Sequence, residues 1–253
     1  MANQNTSWGS VARWYDKTVS SEDSYQNLVI KPNLLRMLNL KAGESVLDVA
    51  CGSGFFAREF SKLGAKVTGL DIGVELIKIA KQQDPKGTYV VGNAEKMTSV
   101  GSGKFDAAVI VLALQNIKNF QNTISEISRV LKPAGRCVIV LNHPSFRIPG
   151  LTSWEYDENR KIQFRRIDAY LSESSKAMDM HPGKITLKDK LTYSFHRPLQ
   201  VYFKAFAKAG LLVESLEEWI SPKESDKGTR KLAEDKARKE FPLFMTVNLI
   251  KYE

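Results

Sequence analysis

Ser45-Val46-Leu47-Asp48-Val49-Ala50-Cys51-Gly52-Ser53-Gly54 decides the fold. Val46, Leu47 and Val49 are the apolar and β-branched residues of a strand covered on both faces. Gly52 and Gly54 then make a tight turn, where the missing Cβ lets the backbone approach a ligand. Phe55, Phe56, Phe60 and Leu63 recur at helical spacing directly after it, and Gly64 stops them. Strand, glycine turn and helix N-terminus form a corner suited to a nucleotide.

The corner alone does not say which nucleotide. Gly52-Ser53-Gly54-Phe55-Phe56-Ala57 fits the dinucleotide pattern G-x-G-x-x-G/A, and Asp71 follows at about the 20-residue distance of a ribose-binding acid. Asp48, inside the strand end, discriminates. A carboxylate there has the wrong sign for a pyrophosphate and the right one for a cationic head, such as the ammonium and sulfonium of S-adenosylmethionine (AdoMet). A nicotinamide-dependent oxidoreductase is therefore the least favoured reading.

At this point Val46-Leu47-Asp48-Val49-Ala50-Cys51-Gly52-Ser53-Gly54 resembles the first motif of class I AdoMet-dependent methyltransferases, in the form found in the ubiquinone/menaquinone-biosynthesis group. The resemblance covers residues 12–142 well and 196–219 loosely. It implies a Rossmann-like, doubly wound sheet of seven strands, mostly parallel with an antiparallel last strand. It also implies S-adenosyl-L-methionine as cofactor, methyl transfer to a small molecule, and a small substrate cap inserted at 143–195 within a single domain.

Composition is consistent with a globular α/β chain: 253 residues, 43% hydrophobic and 26% charged, with no apolar run long enough to span a membrane. The polar Met1–Ser10 carries no apolar signal core, which makes the cytoplasm the expected address. Cys51 and Cys137 make no disulfide framework, and with three histidines no zinc site is expected. The net charge of +9 permits an anionic partner, but Ser225–Glu240 interleaves both signs as a solvated helix face does, so nucleic-acid binding is disfavoured.

Along the chain, residues 1–20 read as loosely ordered except for Trp14-Tyr15-Asp16. The resemblance implies that Tyr15 folds over the cofactor; a small aromatic cluster pinning an N-terminal helix is the alternative. Leu28–Leu40 reads as a helix, Ala65–Asp71 as the second strand, Val74–Gln83 as a helix and Thr88–Gly92 as the third strand. Ala50, Gly52 and Gly54 belong to the first turn. Asp71, ending its strand, can accept both ribose hydroxyls or cap the next helix. Ile72 beside it would lie against adenine. The resemblance places Asn93 and Ala94 on the adenine edge, with Glu95 beside them or acting as a helix-start charge. Phe105–Leu112 is the fourth strand. In similar enzymes the following segment, here Leu112, Ala113 and Asn116, lies beside the methionine part; many carry a histidine near position 116 or 117, where this chain has Asn116 and Ile117. No acid–base residue carries over to this segment.

Phe120–Leu131 reads as a helix, Lys132–Gly135 as a turn and Arg136–Asn142 as the fifth strand. Ile162–Leu171 and Lys184–Tyr193 then read as the two strands of one hairpin, turned at His181-Pro182-Gly183. His143, Arg165 and His196 are the candidate substrate-binding residues, and the two histidines are candidate bases if the acceptor must lose a proton. No catalytic residue is assigned, no metal cluster is visible, and the oligomeric state stays open. An RNA methyltransferase and a non-catalytic AdoMet-binding protein are the remaining rivals.

Overall fold

The computed structural model describes residues 8–180 and 191–252. Strand β1 (Ser45–Val49) pairs in parallel with β2 (Lys66–Asp71) on one side and β4 (Phe105–Val111) on the other; β3 (Thr88–Val91) extends the sheet beyond β2. Strand β5 (Leu131–Asn142) lies beside β4, and the C-terminal pair β10 (Leu211–Trp219) and β11 (Phe244–Lys251) completes seven strands in the order β10-β11-β5-β4-β1-β2-β3. Strand β11 runs antiparallel to both neighbours and all other pairs are parallel. The chain leaves β1 toward β2 and β3, then returns to β4 on β1's other flank. That reversal opens a crevice at the carboxyl ends of β1 and β4.

Two-residue periodicity builds the core on both faces. Leu47, Val49, Ala108, Ile110, Cys137, Ile139 and Leu141 face one way, onto α5 (Phe120–Val130) and α6 (Leu199–Lys208). Val46, Ala107, Val109, Val138 and Val140 face the other, onto α2 (Lys31–Leu38) and α3 (Phe55–Lys62). Helix α3 turns Phe55, Phe56 and Phe60 inward, whereas Leu63 lies past its end and is 44% exposed. Helix α4 (Val74–Gln83) has the expected bounds, and α7 (Lys231–Glu240) is the charged, solvated helix. No helix among the described residues is long and apolar enough to cross a membrane.

Three readings are corrected. Residues 12–20 form a helix, α1 (Ala12–Ser20), pinned by buried Ala12 and Val19. Strand β5 starts at Leu131, which pairs with Phe105; Lys132–Gly135 bulges out before Arg136 meets Ala107, and Asp106 holds the bulge through Lys132 and the Ser45 amide. The excursion after β5 contains two hairpins rather than one. Strand β7 (Ile162–Ile167) folds back on β6 (Thr152–Asp157), and β8 (Ser174–Asp179) pairs with β9 (Leu191–His196). Asp157 decides the first pairing: its Oδ1 accepts the Asn159 and Arg160 amides, and Lys161 at φ 54° closes the turn. His181–Gly183 and residues 184–190 of the expected second strand lie outside the described residues.

Gly54 opens α3 at φ +76°, and a Cβ there would stand 2.8 Å from the Tyr89 ring, whose hydroxyl is fixed on Asp84 at 3.0 Å. Gly54→Ala is expected to destabilise the protein by about 1–3 kcal/mol, read as a lower urea midpoint with the m-value unchanged. An unshifted midpoint would contradict this packing.

Candidate functional site

The site begins with two carboxylates at neighbouring strand ends. Asp71 is stitched to the backbone: Oδ2 accepts the Gly52 amide at 2.9 Å and Oδ1 the Gly73 amide at 2.6 Å. It thereby ties the turn after β1 to the turn after β2, and the N-cap-like bond to Gly73 coexists with spare lone pairs on both oxygens. Asp48 is 2% exposed, and its Oδ2 is buried without a hydrogen-bond partner. Burial and the charge of Asp71 push its carboxyl up to about 8, against a smaller opposing pull from the Ala57 amide. Burial also raises Asp71, while its two amide bonds favour the charged form.

Above them lies a cavity of about 690 Å³. Tyr15, reaching in from α1, covers the glycine turn so closely that a Cβ on Gly52 would meet its ring at 3.0 Å. Burial and the nearby Asp71 and Asp48 raise its phenol, and Trp8 packs on its ring at 5.6 Å between centroids. Ala50, Gly52, Asp71 and Ile72 line one side of the cavity; Asn93, Ala94 and Glu95 line the next. Leu112, Ala113 and Asn116 line the wall after β4. Ile72 presents an apolar side chain 51% exposed at the rim. Glu95 also braces the neighbouring loop, because its carboxylate accepts the Asn119 amide and side-chain NH₂ at 3.0 and 2.9 Å and so fixes the residue that precedes α5. Asp48 lies beneath this lining rather than in it. Gly54 is turned away toward Tyr89, so its role is to shape the turn.

A second cavity, about 460 Å³, adjoins the first: Gln115, Asn142 and Met178 line both. Arg165 and His196 line it, as expected from the sequence. The Tyr170 carbonyl accepts from His196 Nε2 at 2.7 Å, which fixes that nitrogen as the protonated one in the neutral ring and leaves Nδ1 as the acceptor. His143 is a correction. It lines neither cavity; its Nε2 meets Glu218 at 2.6 Å and its Nδ1 accepts the Ser145 amide at 3.2 Å, so both nitrogens are used in holding the exit from β5. Gln115 belongs to the segment expected after β4, whereas reasoning from the sequence missed Trp8, Asn142, Arg147, Met178 and Arg197. Only the Pro-rich exit after β5 hinted at Arg147.

The donor set fits AdoMet. A buried carboxylate oxygen with no partner is what an ammonium would complete, and no guanidinium or ammonium among the described residues ion-pairs with Asp48 or Asp71. A pyrophosphate would instead meet two acids.

The raised Asp48 pKa makes the unliganded fold sensitive to pH. An acid with a raised native pKa binds its proton more tightly folded than unfolded, so stability falls as pH climbs from the ordinary carboxylate range to about 8, by at most about 1.4 kcal/mol per pH unit. Asp48→Asn should flatten that fall in urea midpoints measured between pH 5 and 8. A slope equal to the parent's would place the proton elsewhere.

Comparison with known proteins agrees with this geometry. Residues 47–139 match the family described as Methyltransferase domain. A demethylmenaquinone methyltransferase of Tropheryma whipplei (strain Twist) is 34% identical over 138 residues, 53% of this chain and 57% of that protein. A ubiquinone biosynthesis O-methyltransferase of Xanthomonas oryzae pv. oryzae (strain PXO99A) is 33% identical over 99 residues, 38% of this chain and 41% of that protein. The chain thus spans about half the length of the curated relatives it matches. An S-adenosylmethionine-dependent methyltransferase structure from Mesorhizobium loti superposes with a TM-score of 0.69 at 25% identity, over 87% of this chain and 96% of that one. Fold, corner and matched segment are thus similar to those of S-adenosylmethionine-dependent methyltransferases.

Proposed function

We propose that this protein transfers the methyl group of AdoMet to a nucleophile on a small molecule held in the second cavity. The observation that carries the reading is the junction: Gln115, Asn142 and Met178 belong to both cavities, so a cofactor in one faces an acceptor in the other. The Tropheryma and Xanthomonas relatives are named for quinone methylation, which supports a small-molecule acceptor here.

Asp48 would hold the cofactor's ammonium and Asp71 its ribose hydroxyls. Ile72 would lie against the adenine, Asn93 and Ala94 would read its edge, Leu112, Ala113 and Asn116 would lie beside the methionine part, and Tyr15 would close over the turn. When bound, the cofactor supplies an electrophilic methyl on a sulfonium. What remains for the chain is to align donor and acceptor and to exclude water. The hairpins of 143–195 serve as the cap: Trp154, Arg165 and Met178 come from them and roof the second cavity. If the acceptor must lose a proton, His196 Nδ1 is the nitrogen able to take it.

Asp48→Ala and Asp71→Ala should each weaken AdoMet binding by about 1–3 kcal/mol in calorimetry, the range of a lost charged hydrogen bond. Incubation of the protein with methyl-labelled AdoMet and a small-molecule extract should place label in a low-mass product. Cofactor binding without transfer would mark a non-catalytic binder, and label entering only RNA would overturn the small-molecule reading.

A further inference from the structure

We propose that the acceptor carries an anionic headgroup, a carboxylate or phosphate, held by Arg147 and Arg165 in the second cavity, with an apolar or aromatic body lying toward the cofactor. The inference rests on the methyl-transfer reading for the ligand's role as acceptor. Its basis is a charge imbalance. Arg147, Arg165 and Arg197 line the cavity, and among the described residues no Asp or Glu does.

Among the described residues, Arg147 and Arg165 have no ion pair, and Arg197 has only a long one to Glu173. Arg165 gives its hydrogen bonds to neutral oxygens, the Phe146 carbonyl at 2.9 Å and Thr152 Oγ1 at 2.7 Å. Among the described residues, the Arg147 guanidinium has neither a hydrogen bond nor an ion pair. Arg197 donates to the Ile117 and Lys118 carbonyls at 2.9 Å, its Nη1 is buried without a hydrogen-bond partner, and Glu173 stands off at 4.0 Å. By contrast, Arg129 meets Glu126 and Arg136 meets Glu44, each at 2.7 Å, while Arg147, taken as a whole residue, is exposed. Burial pulls Arg147 and Arg165 down, and the charge of Arg147 pulls Arg165 down further. Two like charges set into one wall without an acid form a seat for an anion, and a guanidinium fork matches carboxylate or phosphate. The rest of the wall mixes polar side chains, Gln115, Asn142, Ser194 and His196 among them, with an aromatic patch of Trp154, Phe195 and Tyr202, and Arg165 stands 5.1 Å over the Trp154 ring.

The placement of charge is complementary. Asp71 lines the first cavity with Asp48 beneath it, suited to the cationic cofactor, and guanidiniums line the second cavity, suited to its partner. Arg197, set 4.4 Å over the Phe120 ring, holds the loop after β4 and is left out of the headgroup seat.

The test is calorimetry with 4-hydroxyphenylacetate, phenyl phosphate and decanoate, against the neutral 4-hydroxyphenylacetamide and decanamide, on protein with and without saturating S-adenosylhomocysteine. At least one anion should bind about tenfold or more tightly than its neutral partner, with the preference lost in Arg147→Gln and retained in Arg165→Lys. The carboxylate and phosphate arms tell the two headgroups apart. Arg147→Gln breaks no internal bond, and its affinity for S-adenosylhomocysteine should match the parent's. Amides binding as well as anions, or no anion binding at all, would overturn the inference. Failure of S-adenosylhomocysteine to bind would overturn the methyl-transfer reading instead, while the ratio of anion to amide in its absence would still decide the charge preference.

Discussion

Two carboxylates buried side by side at the ends of parallel strands are the constraint on which this site depends. Desolvation and mutual repulsion both work against keeping Asp48 and Asp71 charged together. The fold resolves the conflict unequally. The Gly52 and Gly73 amides favour the charged form of Asp71, and those bonds set the glycine turn. Asp48 has a buried oxygen with nothing to accept from, and burial beside Asp71 pushes its carboxyl up to about 8. A buried acid of this kind costs the unliganded protein stability, and a bound ammonium offsets the cost. Stability is thus exchanged for selectivity between a cationic and an anionic nucleotide.

Much of this architecture is legible in the residues. Strands covered on both faces read as unbroken apolar runs, and the alternation of Val46 with Leu47, or Ala107 with Ala108, divides between the two helical layers. Asp48 could be singled out because a charge inside such a run requires a reason. The lining residues from Tyr15 to Asn116 follow from the corner and the resemblance, since the turns after parallel strands must converge on the crevice between β1 and β4.

What escaped the sequence depends on contacts distant in the chain or on side chains setting a turn. His143 and Glu218 are far apart in sequence, so nothing local shows that the imidazole is already engaged. One glycine pattern conceals two roles: Gly52 gives way to Tyr15, while Gly54 gives way to Tyr89 on the opposite side. The pairing of β6 with β7 hinges on the Asp157 side chain capping two amides, a signal carried by Asp-Glu-Asn-Arg rather than by Gly or Pro. Arg147 sits in a turn-rich exit, and only the folded wall reveals that it shares a cavity with Arg165 and, among the described residues, no acid.

Above all, the corner is built for a cation. Parallel calorimetric titrations of the purified protein with AdoMet, S-adenosylhomocysteine and NAD test this most directly. Micromolar binding of the first two, with none for NAD, is the predicted result; binding of NAD alone would contradict it, because a pyrophosphate would then have to settle against Asp48.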